Sequence, residues 1–290
     1  MKLKLKAHLR LAAEEGASTD WRDKYDSVRA LSEGLAEVQL NGKWGFIDVT
    51  GKVMIPLKYD RVGSFHEGLA PVKLNDKWGF VDKTGKEVVP VKYDQVGNFK
   101  EGLAVVQLND QRGFVDKEGK EVVPPKYDWV WDFSEGFAQV RLGGKRGFVD
   151  KTGKVVVPLK YNEVWGFRKG LAPVKLNDKW GFVDVTGKEV VPPKYDWVST
   201  FHEDLVQVKL NDKYGFVDKT GKEVVPLKYN EVWDFSEGLA GVQLNDKHGL
   251  IDTTGKEVVP VRYTDEELPP FSSLIRLGGD PNVISDQISS

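Results

Sequence analysis

The chain has 290 residues, 40% hydrophobic and 30% charged, with 42 Lys and Arg against 44 Asp and Glu, a formal net charge of -2. This is ordinary soluble globular composition: no basic stripe directs it to nucleic acid, and no apolar run is long enough to cross a bilayer as a helix. The lack of cysteine excludes disulfides and thiolate chemistry and fits a reducing compartment.

The chain opens Met1-Lys2-Leu3-Lys4-Leu5-Lys6-Ala7-His8-Leu9-Arg10-Leu11. This alternation of basic and apolar residues reads as a strand. It lacks the uninterrupted apolar core of a signal peptide, so the expected location is the cytoplasm. Leu9 and Leu11 stand near the place of a strand that later segments carry in full, and residues 1–24 read as a degenerate half-repeat. From Tyr25 onward the order is strict. A glycine returns every 34 residues at Gly45, Gly79, Gly113, Gly147, Gly181, Gly215 and Gly249, and a tyrosine at the same spacing from Tyr25 to Tyr263. Self-similarity at this period signals a repeat architecture. Residues 25–263 hold seven repeats. Residues 264–290 are a partial unit and tail, in which Phe271-Ser272-Ser273-Leu274 matches Phe133-Ser134-Glu135-Gly136-Phe137 in outline.

Each repeat reads as a β-meander. Residues Leu69 to Leu74 alternate, with Ala70, Val72 and Leu74 expected on one face and Leu69, Pro71 and Lys73 on the other. A two-residue turn follows, Asn75-Asp76 here and Gly143-Gly144 elsewhere, of residues that tolerate positive φ. The second strand, Lys77 to Asp82, contains a glycine, which predicts a bend or a close neighbour. Asp82-Lys83-Thr84-Gly85 reads as a hairpin corner closed by Asp. The third strand runs from Glu87 to about Val91, and Pro90 belongs at an edge. A fourth strand is expected to be small or missing. No helical period occurs in the repeats.

The segments Lys43-Trp44-Gly45-Phe46-Ile47-Asp48, Lys77-Trp78-Gly79-Phe80-Val81-Asp82 and Lys179-Trp180-Gly181-Phe182-Val183-Asp184, with their Gly-Lys-x-x-x-Pro and Lys-Tyr-Asp elements, resemble the bacterial WG-repeat (KWG-repeat) proteins. The resemblance covers roughly residues 25–263. Four copies depart at the Trp position, with Arg112, Arg146, Tyr214 and His248. It implies a β-rich repeat module and no particular activity. The fold class expected is all-β, in tandem meanders closed into a β-propeller-like ring of seven to eight units, the two end units completing a mixed eighth; the alternative is an open, capped β-solenoid. Either way the core must form between repeats, because one meander has no second layer.

No catalytic, metal or cofactor signature stands out. The Asp82-type carboxylates sit in turns rather than calcium loops. His66 and His202 hold one repeat position four units apart, which argues against a short-range zinc pair. Glu67, Glu101, Glu135 and Glu237 recur as a fold element, with Lys169 as the exception, and Asp204 in a glycine position reads as drift. The positions left free to vary just after the tyrosine carry Trp129, Trp131, Trp165, Trp197 and Trp233. Trp129 and Trp131 flank Val130, so an inward Val130 turns both outward. These five are the candidate ligand-binding residues, against the reading that they stack between repeats as core. The expected function is a non-catalytic, monomeric scaffold binding a protein or peptide over several repeats. A carbohydrate-binding module is the alternative, and a hydrolase with a carboxylate pair in a central channel a third reading. Neither nucleic acid nor membrane is an expected partner.

Overall fold

The computed structural model describes residues 21–264 and Glu267. These residues form seven four-stranded antiparallel sheets in tandem. The first is β1 (Ser27–Ser32), β2 (Leu35–Leu40), β3 (Lys43–Ile47) and β4 (Val53–Tyr59), adjacent in that order. The second is β5 (Arg61–Val62), β6 (Leu69–Leu74), β7 (Lys77–Asp82) and β8 (Glu87–Tyr93). Five more sheets, over 95–127, 129–161, 163–195, 197–229 and 231–263, repeat the second. The small fourth strand is the residue pair just past the Tyr-Asp step, and it belongs to the next sheet. The third strand continues to Tyr93 rather than stopping near Val91. By internal contacts the chain divides into two compact units, Met1–Gly143 with Val149–Lys154, and Gly144–Phe148 with Val155–Ser290. The mixed eighth unit expected from residues 1–24 and 264–290 falls almost wholly outside the described residues.

The turns are set by residue chemistry. Asn75 and Asp76 have φ of 50° and 63°, the paired left-handed conformation of a two-residue hairpin. At the corner, the Asp82 carboxylate accepts from the Thr84 N–H, the Thr84 hydroxyl and the Lys86 N–H, while Gly85 is left-handed at φ 85°. A further hairpin escapes the sequence reading: Glu67 and Gly68 (φ 53° and 88°) turn the chain between His66 and Leu69.

The repeated Trp-Gly glycine answers to a close approach. A Cβ on Gly79 would stand 2.5 Å from the Val89 carbonyl oxygen and 2.8 Å from the Pro90 carbonyl carbon. The register shows why. Trp78 pairs with Tyr93 and Phe80 with Val89, so β8 carries extra residues opposite β7 and bulges over the glycine. Pro90 lies in that bulge, exposed, on the edge strand of its sheet.

The core lies between sheets. In the first unit, Leu69, Phe80, Val89 and Tyr93 of the second sheet pack on Phe99, Ala104, Val106 and Val115. In the second unit, Leu205, Phe216, Val225 and Tyr229 meet Phe235, Ala240, Val242 and Ile251 in the same way. Edge-to-face phenylalanine pairs recur at these seams, Phe80 with Phe99 at 4.8 Å and Phe216 with Phe235 at 4.8 Å, each worth about 0.5–1.5 kcal/mol beyond the area it buries. The expected alternation along Leu69–Leu74 holds, with Ala70, Val72 and Leu74 turned to the first sheet and Leu69 to the third. Leu69, Ala70, Pro71 and Val72 are all buried, because a sheet stacked between two others has no solvent face there.

Polar links tie the second sheet to the third. The Tyr93 hydroxyl donates to Glu121 at 2.7 Å, and Lys92 pairs with the same carboxylate at 2.9 Å. Asp94 takes the Lys77 ammonium on one oxygen and the Asn109 N–H on the other.

Candidate functional site

The short strand after each tyrosine is where the aromatic residues gather. Its valine is buried at Val62, Val130, Val164 and Val198 and half-buried at Val96 and Val232, and its neighbours point the other way: Trp129 is 39% exposed, Trp131 36%, Trp197 39% and Trp233 41%. Trp165 differs. It is half-buried, packed at the edge of the inter-sheet core with its ring 4.7 Å from buried Trp180. Core packing therefore holds for Trp165 and outward display for the other four.

The Trp129, Trp197 and Trp233 rings lean on a side chain from the variable Trp-Gly position. The Arg112 guanidinium lies 3.4 Å from the Trp129 ring centre, and Trp129 meets Trp131 edge-on at 6.2 Å. In the second unit Trp197 stands against Tyr214 at 6.3 Å and Trp233 against His248 at 5.9 Å. Arg112, Tyr214 and His248, all departures from Trp, thus accompany an exposed indole, whereas Trp44 and Trp180, which keep the motif, are buried and Trp78 is half-buried. Trp129 and Trp131 are brought together. Trp165, Trp197 and Trp233 each contact a residue of their own sheet and not one another.

Beside Trp233 lies a polar group that the sequence reading missed. The Asp234 carboxylate accepts from the nearly buried Gln207 amide at 2.7 Å and lies 3.6 Å from the His202 ring. The same link joins earlier repeats, where the Ser64 hydroxyl donates to buried Glu37 at 2.8 Å and Arg29 pairs with Glu37 at 2.8 Å. The signal is two variable positions 27 residues apart, Glu37 with Ser64 and Gln207 with Asp234. It has meaning only once the sheets are stacked.

Four of the recurring Glu-Gly carboxylates, Glu33, Glu67, Glu101 and Glu203, are engaged at the turns. Glu67 accepts from the Gly102 N–H at 3.0 Å and pairs with Lys117 at 3.0 Å; the hydrogen bond from Lys117 holds its carboxyl below the usual range. Asp204, read as drift, pairs with Lys169 at 2.9 Å. Where Glu33 and Glu203 reach the glycine N–H 35 residues on, the exceptional lysine meets an exceptional aspartate at that same offset. Among the described residues no group of three His, Cys, Asp or Glu side chains could hold a metal ion, and no helix is long and apolar enough to cross a membrane.

The family model for the WG-containing repeat matches eight times, at residues 24–44, 44–78, 78–111, 113–145, 147–180, 180–214, 214–247 and 249–272. The chain belongs to the WG-repeat family. No curated protein matches this WG-repeat chain. Among solved structures, it is similar to Hsv2 of Kluyveromyces lactis at 11% identity and TM-score 0.31, over 64% of this chain and 71% of that one. A eukaryotic initiation factor aligns at 13% identity and TM-score 0.35, over 82% and 76%. PorZ, a surface component of the type-IX secretion system of Porphyromonas gingivalis, aligns at 8% identity and TM-score 0.30, over 83% of this chain and 38% of that one. Similarities this low carry no argument about function.

Proposed function

We propose that this WG-repeat protein is a non-catalytic recognition module that holds a protein or peptide on its exposed tryptophans. The observation that carries the reading is the outward display of Trp129, Trp131, Trp197 and Trp233 at positions that other repeats fill with Arg61, Gln95, Gly63, Gly97 and Ser199. The fold does not require an indole there. Rings propped by Arg112, Tyr214 and His248 lose little freedom on binding, and Trp, Tyr and Arg dominate the energetics of protein interfaces. The test is a triple variant, Trp129→Ala, Trp131→Ala and Trp233→Ala, used as bait beside the wild type. Partners held by the wild type should be lost from the variant while its thermal melt is unchanged. Identical capture by both baits rejects the reading.

One observation favours a second reading, carbohydrate binding. Trp233 offers an exposed ring face next to the Asp234 carboxylate, the Gln207 amide and His202, a flat apolar surface beside hydroxyl-binding groups. A glycan array discriminates: hits that disappear in Trp233→Ala support it, and a blank array removes it.

A further inference from the structure

We propose that the face of the first sheet carries a separate pocket for a small apolar carboxylate, with Arg22 as the anion's partner. A cavity of about 220 Å³ opens there, walled by Trp21, Val28, Leu31 and Ala36. The repeat pattern explains the space. In later sheets this face receives the leucine, phenylalanine and tyrosine of the preceding sheet, together with a linker phenylalanine such as Phe65. In the first sheet the linker position holds Leu31, and the buried aromatic described on this face is Trp21. At the Gly51 corner the Trp21 ring stands where later sheets have the backbone of the preceding sheet. A Cβ on Gly51 would strike its ring at 2.5 Å, whereas one on the equivalent Gly119 would strike the Val88 carbonyl oxygen at 2.2 Å.

Arg22 supplies the chemistry. Its Nη2 is buried without a hydrogen-bond partner, while its guanidinium leans toward the Trp21 ring at 5.3 Å. The other charged groups of the lining are committed. Arg29 pairs with Glu37 and lies over Trp44 at 4.1 Å; one Asp48 oxygen takes the Thr50 N–H, the Thr50 hydroxyl and the Lys52 N–H. Among these lining groups, Arg22 is therefore the one whose buried donor has no partner. A buried, unpaired charged donor is unfavourable, and a carboxylate satisfies a guanidinium with the strongest hydrogen bonds available to it. Cavities of about 150 Å³ lined by apolar side chains bind benzene, so this one suits a ligand of roughly ten non-hydrogen atoms: an anionic head at Arg22 and an apolar tail between Trp21 and Leu31.

Titration calorimetry of the full chain at pH 7 with octanoate, and with neutral octanamide as control, tests the assignment. Octanoate should bind saturably at one per chain, and octanamide about tenfold or more weaker. Arg22→Met should erase that preference while melting as the wild type does, and Leu31→Trp, which fills the space, should abolish both. Absence of saturable octanoate binding, equal affinity for the amide, or a preference that survives Arg22→Met overturns the proposal. The amide comparison and Leu31→Trp decide the matter even if Arg22→Met does not fold. None of these outcomes depends on the exposed tryptophans.

Discussion

Replacing Gly79 with alanine tests the reason for the Trp-Gly step. The added Cβ would lie 2.5 Å from the Val89 oxygen and 2.8 Å from both the Pro90 carbonyl carbon and oxygen, where ordinary contact begins at 3.4 Å. Backbone atoms cannot swing aside as a flexible side chain can, so β8 must retreat by roughly the 0.9 Å difference (3.4 less 2.5). That strand carries Val89 and Tyr93, both fully buried against the following sheet, and the retreat opens the seam. Forcing extra methyl groups into a packed interior costs about 1–3 kcal/mol. The matched control is Gly97→Ala. There the nearest atom to a new Cβ is the Val105 Cβ at 3.6 Å, and φ is not positive. Its backbone tolerates alanine, and reduced freedom of the unfolded chain predicts a change between zero and a gain of about 1 kcal/mol. Urea unfolding followed by circular dichroism measures both. If Gly79→Ala unfolds at the wild-type midpoint, or no earlier than Gly97→Ala, the close-approach argument fails.

Other consequences can be checked alongside. Tyr93→Phe removes the donor to Glu121 and should cost about 0.5–1.5 kcal/mol in the same urea assay; no loss means that bond contributes nothing net. The Lys92 hydrogen bond, then that from Tyr93, lowers the Glu121 pKa, and hydrogen bonding by Thr50 and Thr186 lowers those of Asp48 and Asp184. A depressed folded-state pKa gives stability that is present above the unfolded value, about pH 4, and is lost as the pH falls through the folded one. Melting temperature should therefore hold from pH 7 to about 5 and drop below about 4, and a flat acid limb contradicts this. Lys169→Glu alone sets two carboxylates together at Asp204. Adding Asp204→Gly removes the opposing carboxylate and leaves the backbone N–H of residue 204 to the new glutamate, as Glu33 and Glu203 use those of Gly68 and Gly238, so the double variant should be more stable than Lys169→Glu. A double variant no better than that single one rejects the compensating pair.

Much of the fold was legible because the repeat unit declares its turns. Asn-Asp, Asp-x-Thr-Gly and the period itself are local signals, and the Trp-Gly glycine announced a close neighbour before that neighbour had a name. Trp129 and Trp131 could be turned outward by parity around Val130 alone. What failed did so for one physical reason. Alternation assigns a residue to a face but not what lies over that face, so the burial of Pro71, on the Leu69 side of its strand, could not be read from it. Partnerships such as Gln207 with Asp234, Tyr93 with Glu121 and Lys169 with Asp204 span 27, 28 and 35 residues. They cross from one sheet to another, and only the stacking register supplies those offsets. Trp165 shows the limit for the site: the valine before it is buried as parity requires, yet Trp180 draws its ring toward the core.

The exposed prolines at Pro56, Pro90, Pro124, Pro158, Pro192, Pro226 and Pro260 all lie in the outermost strand of their sheets. A chain with so many unpaired strand borders invites other molecules to zip onto it. A missing N–H at the middle of each border, with the kink beside it and a lysine or arginine two residues later, breaks the row of donors that an incoming strand would need. Lengthening such an array by further copies therefore adds recognition surface without adding a template for fibrils.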